Sequence, residues 1–82
     1  MTEKDLLAFG FNKEIIPDSE SQNGYDYYYY TLEVIQDLVL VSSESDEVEN
    51  DEWGVFFSDS DYEIWDLKLL KELIDVFNKI KN

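Results

Sequence analysis

The chemistry this sequence offers is carboxylate chemistry. Asp59, Asp61 and Glu63 fall at alternate positions, as do Glu47, Glu49 and Asp51, and residues 44–52 hold six acids in nine positions. In extended chain, alternate side chains share one side at two strand rises, about 6.6 Å. That spacing is comparable to the repeat of a nucleic-acid backbone, so two such rows would present phosphate-like charge to a basic protein. Two unit charges at this separation repel by roughly 0.6 kcal/mol in water. Over many neighbours the repulsion is a standing cost for a small domain, relieved when a cationic surface approaches.

Bond-making chemistry is not indicated. The chain has no histidine, cysteine or arginine, which removes nucleophile–base pairs, thiolate chemistry, arginine clamps and ordinary zinc sites. Carboxylates alone can hydrolyse glycosides, but only across a substrate cleft, and 82 residues with one core scarcely provide one. The expectation is a protein that is not an enzyme and uses no cofactor. Asp59-Ser-Asp-Tyr-Glu63 has the look of the start of a calcium loop. Its sixth position, however, is Ile64 rather than glycine and its twelfth is Leu70 rather than glutamate, so no metal site is expected.

The second group is aromatic. Strand alternation over 25–34 puts Tyr28, Tyr30, Leu32 and Val34 on one face, and Tyr25, Tyr27, Tyr29, Thr31 and Glu33 on the other. The Leu32/Val34 side reads as core. Since one helix covers one face of a small sheet, Tyr25, Tyr27 and Tyr29 are expected to stay exposed. They serve there either as cross-strand pairs or as an interaction stripe.

These groups need a frame. Thr2 is a suitable N-cap for a short helix over about 2–9, with Gly10 at its end. Phe11, Ile15 and Ile16 are expected to cover a sheet edge before Pro17. Asp18 to Gly24 reads as a loop ending in an Asn23-Gly24 turn. Residues 25–34 and 38–41 form a hairpin about Gln36-Asp37, 53–57 a third strand with Trp53, Val55 and Phe57 on one face, and 62–65 a short fourth. Asp66 is the N-cap of a closing helix. Leu67, Leu69, Leu70, Leu73, Ile74, Val76, Phe77 and Ile80 fall on one half of its wheel, expected to lie on the sheet. The fold class is α+β, a single domain over 1–82: a small, mainly antiparallel sheet of three to four strands. The C-terminal amphipathic helix packs on one face and a short N-terminal helix at the edge.

Charge sharpens the reading. The net value is −14. Residues 1–66 carry eighteen acids and two lysines (−16), and residues 67–82 carry two acids and four lysines (+2). Direct nucleic-acid binding and an anionic membrane surface are both disfavoured, because each needs clustered Lys and Arg. The start of the chain lacks the basic segment and apolar core of a signal peptide, and no apolar run is long enough for a membrane span. The expected setting is the bacterial cytoplasm. Solubility alone usually needs a net charge of about 2–8. The excess points to a basic protein partner contacted through Glu44, Asp46, Glu47, Glu49, Asp51, Glu52, Asp59, Asp61 and Glu63, with Tyr25, Tyr27 and Tyr29 as apolar anchors.

Four stretches resemble small acidic proteins of phages and prophages in Bacteroidota: Asp-Leu-Leu-Ala-Phe-Gly-Phe (5–11), Tyr-Tyr-Tyr-Tyr-Thr-Leu (27–32), Ser-Asp-Glu-Val-Glu-Asn-Asp-Glu-Trp (45–53) and Asp-Leu-Lys-Leu-Leu-Lys-Glu-Leu-Ile (66–74). These motifs are structural and bring no site residues with them. In size, acidity and lack of enzyme chemistry the chain also resembles phage anti-CRISPR proteins and other nucleic-acid mimics. The charge on residues 1–66 leads to the expectation of an inhibitor that occupies a basic nucleic-acid channel of a host defence nuclease, such as an RNA-guided CRISPR effector. Two other classes remain open: an immunity or antitoxin-like protein against a basic toxin, and a non-catalytic accessory module that oligomerises through its tyrosine face.

Charge crowding gives a stability prediction. Added salt should raise the melting temperature by screening the repulsion. Mild acidification toward pH 5 should do the same by reducing the number of like charges held close together. A melting temperature indifferent to ionic strength would contradict the crowding argument.

Overall fold

The computed structural model describes residues 1–21 and 24–81. Five strands form one antiparallel sheet in chain order: β1 (Asn12–Ile16), β2 (Tyr27–Ile35), β3 (Leu38–Ser42), β4 (Val55–Phe57) and β5 (Glu63–Ile64). Three helices accompany them: α1 (Glu3–Ala8), the single turn α2 (Asp18–Ser21) and α3 (Leu67–Lys81). The α+β class and both flanking helices are as expected, with one strand more. Asn23 of the expected turn lies outside the described residues; Gly24 has φ of +83°. Among the described residues no helix is long and apolar enough to cross a membrane.

The additional strand is β1. Rather than capping an edge, Asn12–Ile16 pairs with β2, Asn12 opposite Thr31 and Ile16 opposite Tyr27. Pairing turns Lys13 and Ile15 to the Tyr28/Tyr30 side, and the Lys13 ammonium sits 4.0 Å from the centre of the Tyr28 ring. That contact gives the lysine a partner on a face otherwise reserved for apolar residues. Phe11, just before the strand, is buried in the core.

The core face of the sheet is the one alternation assigns. Tyr30, Val34, Leu40, Val55 and Ile64 are buried, and Leu6, Trp53 and Leu70 close over them. Trp53 and Gly54 precede β4 rather than belonging to it. Tyr30 is 1% exposed. Its ring meets Trp53 edge-on at 5.4 Å, while Tyr28 stacks on the same indole at 6.0 Å. A buried phenol needs an acceptor, and α1 supplies one: the Tyr30 hydroxyl donates to Glu3 Oε1 at 2.6 Å and the Tyr28 hydroxyl to Glu3 Oε2 at 3.4 Å. Burial, then the Glu3 carboxylate, raises the Tyr30 pKa well above the ordinary tyrosine range. Helix α1 is held in place by its cap, in which the Thr2 hydroxyl accepts from the Asp5 amide and the Asp5 carboxylate accepts from the Thr2 amide. The bond from the Thr2 backbone lowers the Asp5 pKa.

Helix α3 begins where expected, with Asp66 Oδ1 accepting from the Lys68 amide at 3.1 Å. It buries a narrower arc than its wheel suggests. Leu70 is buried, Leu73, Ile74 and Phe77 are half-buried, and Phe77 meets Phe57 edge-on at 6.3 Å. Leu67, Leu69, Val76 and Ile80 remain exposed. A sheet whose last two strands are three and two residues long offers no floor for half a helix circumference.

Tyr30→Phe removes the donor to Glu3 while keeping the ring. A hydrogen bond to a charged acceptor contributes about 1.5–3 kcal/mol, so urea unfolding should show a loss of about that size. Tyr62→Phe, at a side chain 81% exposed, should stay within about 0.5 kcal/mol of the parent.

Candidate protein-binding face

The site is built on the face of the sheet opposite α1 and α3, and it depends on where β3 leaves β2. Thr31 pairs with Val41, but beyond that point β3 diverges. The β2 amides that lose strand partners are taken up by hydroxyls. Tyr30 N–H donates to Ser42 Oγ at 2.8 Å and Tyr28 N–H to Ser45 Oγ at 2.9 Å, while Ser45 N–H donates to the Tyr28 carbonyl at 2.7 Å. Ser42 is the one buried polar residue among those described. With those amides satisfied, residues 43–47 leave the ladder and bring their carboxylates to the outer tyrosines. Tyr25 donates to Asp46 Oδ2 at 3.0 Å, and Glu44 lines the same depression as Tyr27.

The result is a concavity of about 430 Å³. Its apolar lining comes from Ile16, Tyr27, Tyr29, Val41 and Phe56, and its acidic lining from Glu44 and Glu47. Tyr27 and Tyr29 are half-buried because the acidic loop folds beside them, so the expected bare stripe is a lined depression instead; Tyr25 remains 49% exposed. A smaller cleft of about 170 Å³ adjoins it, sharing Glu47 and Phe56 and adding Glu52 and Glu63. Glu63 is fixed by its neighbours: the Trp65 indole N–H donates to its Oε2 at 3.0 Å. That indole lies so close to Gly54 that a Cβ there would stand 2.8 Å from the ring. No lysine lines either cleft.

The two rows of acids read from alternate spacing do not form. Residues 45–47 and 50–51 are turns, and Asn50 and Asp51 have φ of +56° and +55°, so Glu47, Glu49 and Asp51 are not aligned along extended chain. Of Asp59, Asp61 and Glu63, only Glu63 is in a strand; Asp59 sits in the β4–β5 turn, and Asp61 lies beside Phe56 and Glu63. Asp51 is used within the fold, its Oδ1 accepting from the Trp53 indole at 2.9 Å and the Glu3 amide at 3.1 Å. Glu49 is exposed away from both clefts, and Glu52 reaches the α-amino group of Met1 at 3.5 Å while lining the smaller one. Tyr25, Tyr27, Tyr29, Glu44, Asp46, Glu47, Glu52, Asp61 and Glu63 therefore gather on or beside one face. Glu49, Asp51 and Asp59 do not join them.

Ile16, Val41 and Phe56 form the apolar floor, a grouping that no local sequence pattern displays. The signal was present for Phe56: in Val55-Phe56-Phe57 alternation must turn one large aromatic away from the core. Among the described residues, no group of three or more acidic side chains is arranged to hold a metal ion. No protein-family model matches this chain, no curated protein is similar to it, and no solved structure matches it.

Electrostatics at the rim are tuned by crowding. Partial burial, then the charges of Glu47 and Asp46, raise the Glu44 pKa, opposed only by the Tyr27 hydroxyl. A raised folded-state pKa means stability that falls as pH climbs through it. Glu44→Gln removes the charge and nearly preserves the side-chain volume. It should raise the melting temperature at pH 7, and the advantage over the parent should vanish below about pH 4, where the parent carboxyl is protonated in both states. An unchanged melting temperature at pH 7 would show that Glu44 carries no repulsive load.

Proposed function

We propose that this protein is a non-catalytic inhibitor that docks its outer sheet face on a basic, nucleic-acid-binding surface of another protein. The observation that carries the reading is the joining of two features on one face: Glu44, Asp46, Glu47, Glu52 and Glu63 surround the half-buried floor of Tyr27, Tyr29 and Phe56. The carboxylates attract and steer a cationic surface, and the aromatic floor gives it an apolar contact once water is expelled. Hydrogen bonds from Tyr25 and Trp65 hold the Asp46 and Glu63 carboxylates in place, which lowers the ordering cost of binding.

The partner class this surface suits is a nuclease or effector with a basic nucleic-acid channel. The resemblance to phage and prophage proteins supports a host defence nuclease of the RNA-guided type, in the manner of anti-CRISPR proteins. The acids form a cluster around a depression rather than a row at phosphate spacing. Competition for the channel would thus come from charge and occupancy, not from a copy of the backbone repeat. An antitoxin-like role would use the same face against a toxin.

The test is displacement of a labelled nucleic acid from purified RNA-guided nucleases. The native protein should compete, more weakly as salt rises. Glu44→Gln, Asp46→Asn, Glu47→Gln and Glu63→Gln combined should reduce competition by about ten-fold or more, in line with loss of electrostatic steering. The amides at positions 46 and 63 keep the acceptor oxygens that Tyr25 and Trp65 use. Glu72→Gln with Asp75→Asn, on α3, should change nothing. Equal competition by the fourfold variant would remove the acidic face from the mechanism.

A further inference from the structure

Helix α3 carries an apolar stripe that the fold does not cover. Leu69, Val76 and Ile80 are 49%, 51% and 66% exposed, and Leu73 between them is half-buried. At 100° per residue, positions 69, 73, 76 and 80 fall within an arc of about 60°, beside the Leu70/Phe77 arc that faces the core. Their spacing of four, three and four is the alternating apolar repeat by which one helix packs along another. A scattered exposed leucine needs no explanation, whereas a contiguous stripe marks a contact surface.

Charge identifies what covers it. The rest of the chain carries −16, and α3 with Asn82 carries +2. A second copy of this chain, itself anionic, is repelled less by α3 than by the strongly acidic remainder. The stripe is flanked on its solvent side by Glu72 and Lys79, which lie at nearly the same angle on the wheel. In an antiparallel pair with residue 69 level with residue 80 of the other copy, Glu72 falls about 3 Å along the axis from the second copy's Lys79. Opposite charges thus meet across the flank twice. We infer that α3 forms an antiparallel homodimer through Leu69, Leu73, Val76 and Ile80, with reciprocal Glu72–Lys79 pairs. The outer sheet face and its acids stay free in this dimer, so it stands independently of the inhibitor reading. A single pair of helices of this length makes a small interface, in the weak, transient class.

Sedimentation equilibrium across two decades of concentration, at low and moderate salt, tests this. The native chain should move from monomer toward dimer as concentration rises. Added salt should strengthen the association, because it screens repulsion between two chains of charge −14; binding to a basic partner responds in the opposite direction. Val76→Asp should weaken the dimer by about ten-fold or more, and Lys79→Glu should weaken it, with Glu72→Lys added to Lys79→Glu restoring it. Near-UV circular dichroism should be unchanged, since these side chains are exposed, and Val76→Ser provides a milder variant with the same expected direction. A native chain that stays monomeric throughout overturns the proposal. So does a dimer that survives Val76→Asp and dissociates instead on Tyr27→Ser with Tyr29→Ser.

Discussion

The arrangement of the outer face depends on two serine hydroxyls. Where β3 parts from β2, Ser42 and Ser45 accept from the amides of Tyr30 and Tyr28, so the central strand continues without unpaired donors. Buried backbone amides left without acceptors would cost about 1–3 kcal/mol each, enough to matter in a domain of this size. Because the hydroxyls satisfy them, the chain after Ser42 is free to turn back and set Glu44 and Asp46 against Tyr27 and Tyr25. The aromatic side of β2 and the acidic loop, far apart in residue type, become one surface through this substitution. The same strand serves two purposes at once. Its even-numbered tyrosines anchor the core through Trp53 and Glu3, and its odd-numbered ones line the depression.

Charge is the second constraint. Carboxylates near the depression are held close by specific donors, and no lysine lines it. The fold gives its acids different roles. Glu3, Asp5 and Asp51 accept hydrogen bonds that cap α1, satisfy Tyr30 and hold Trp53; they stabilise the domain. Glu44 has its pKa raised by burial and by its acidic neighbours, and works against the domain at neutral pH. A group that lowers stability where the protein folds is expected where binding, rather than packing, sets the residue. On the opposite side, α3 is nearly neutral and half apolar.

Much of this frame is legible in the residues. The faces of β2 follow from strict alternation, since Leu32 and Val34 name the core side and the tyrosines must follow. Asp66 and the apolar wheel announce α3, and Thr2 with Asp5 announces α1. Strand β1 is harder to see, because Asn12-Lys-Glu-Ile-Ile has no apolar alternation of its own and becomes a strand only by pairing with Tyr27–Thr31. Local spacing also misleads in the acidic segment. Alternate acids form a row only in extended chain, and left-handed conformations at Asn50 and Asp51 break the segment into turns. The exposed part of α3 depends on the length of β4 and β5, a tertiary quantity that a helical wheel does not contain. The depression itself joins β1, β2, β3, β4 and the 43–47 segment, so no stretch of sequence displays it.

The central claim is that one face, acidic around an aromatic floor, is the surface this protein offers to a cationic macromolecule. Amide chemical-shift mapping with an arginine-rich peptide tests it directly at residue level. The account predicts salt-sensitive shifts concentrated at Ile16, Tyr27, Tyr29, Val41, Phe56 and residues 44–47, with Glu63 joining them and α3 silent. Shifts spread evenly over the acidic residues of the whole chain, or centred on Glu49, Asp59 and α3, would contradict it.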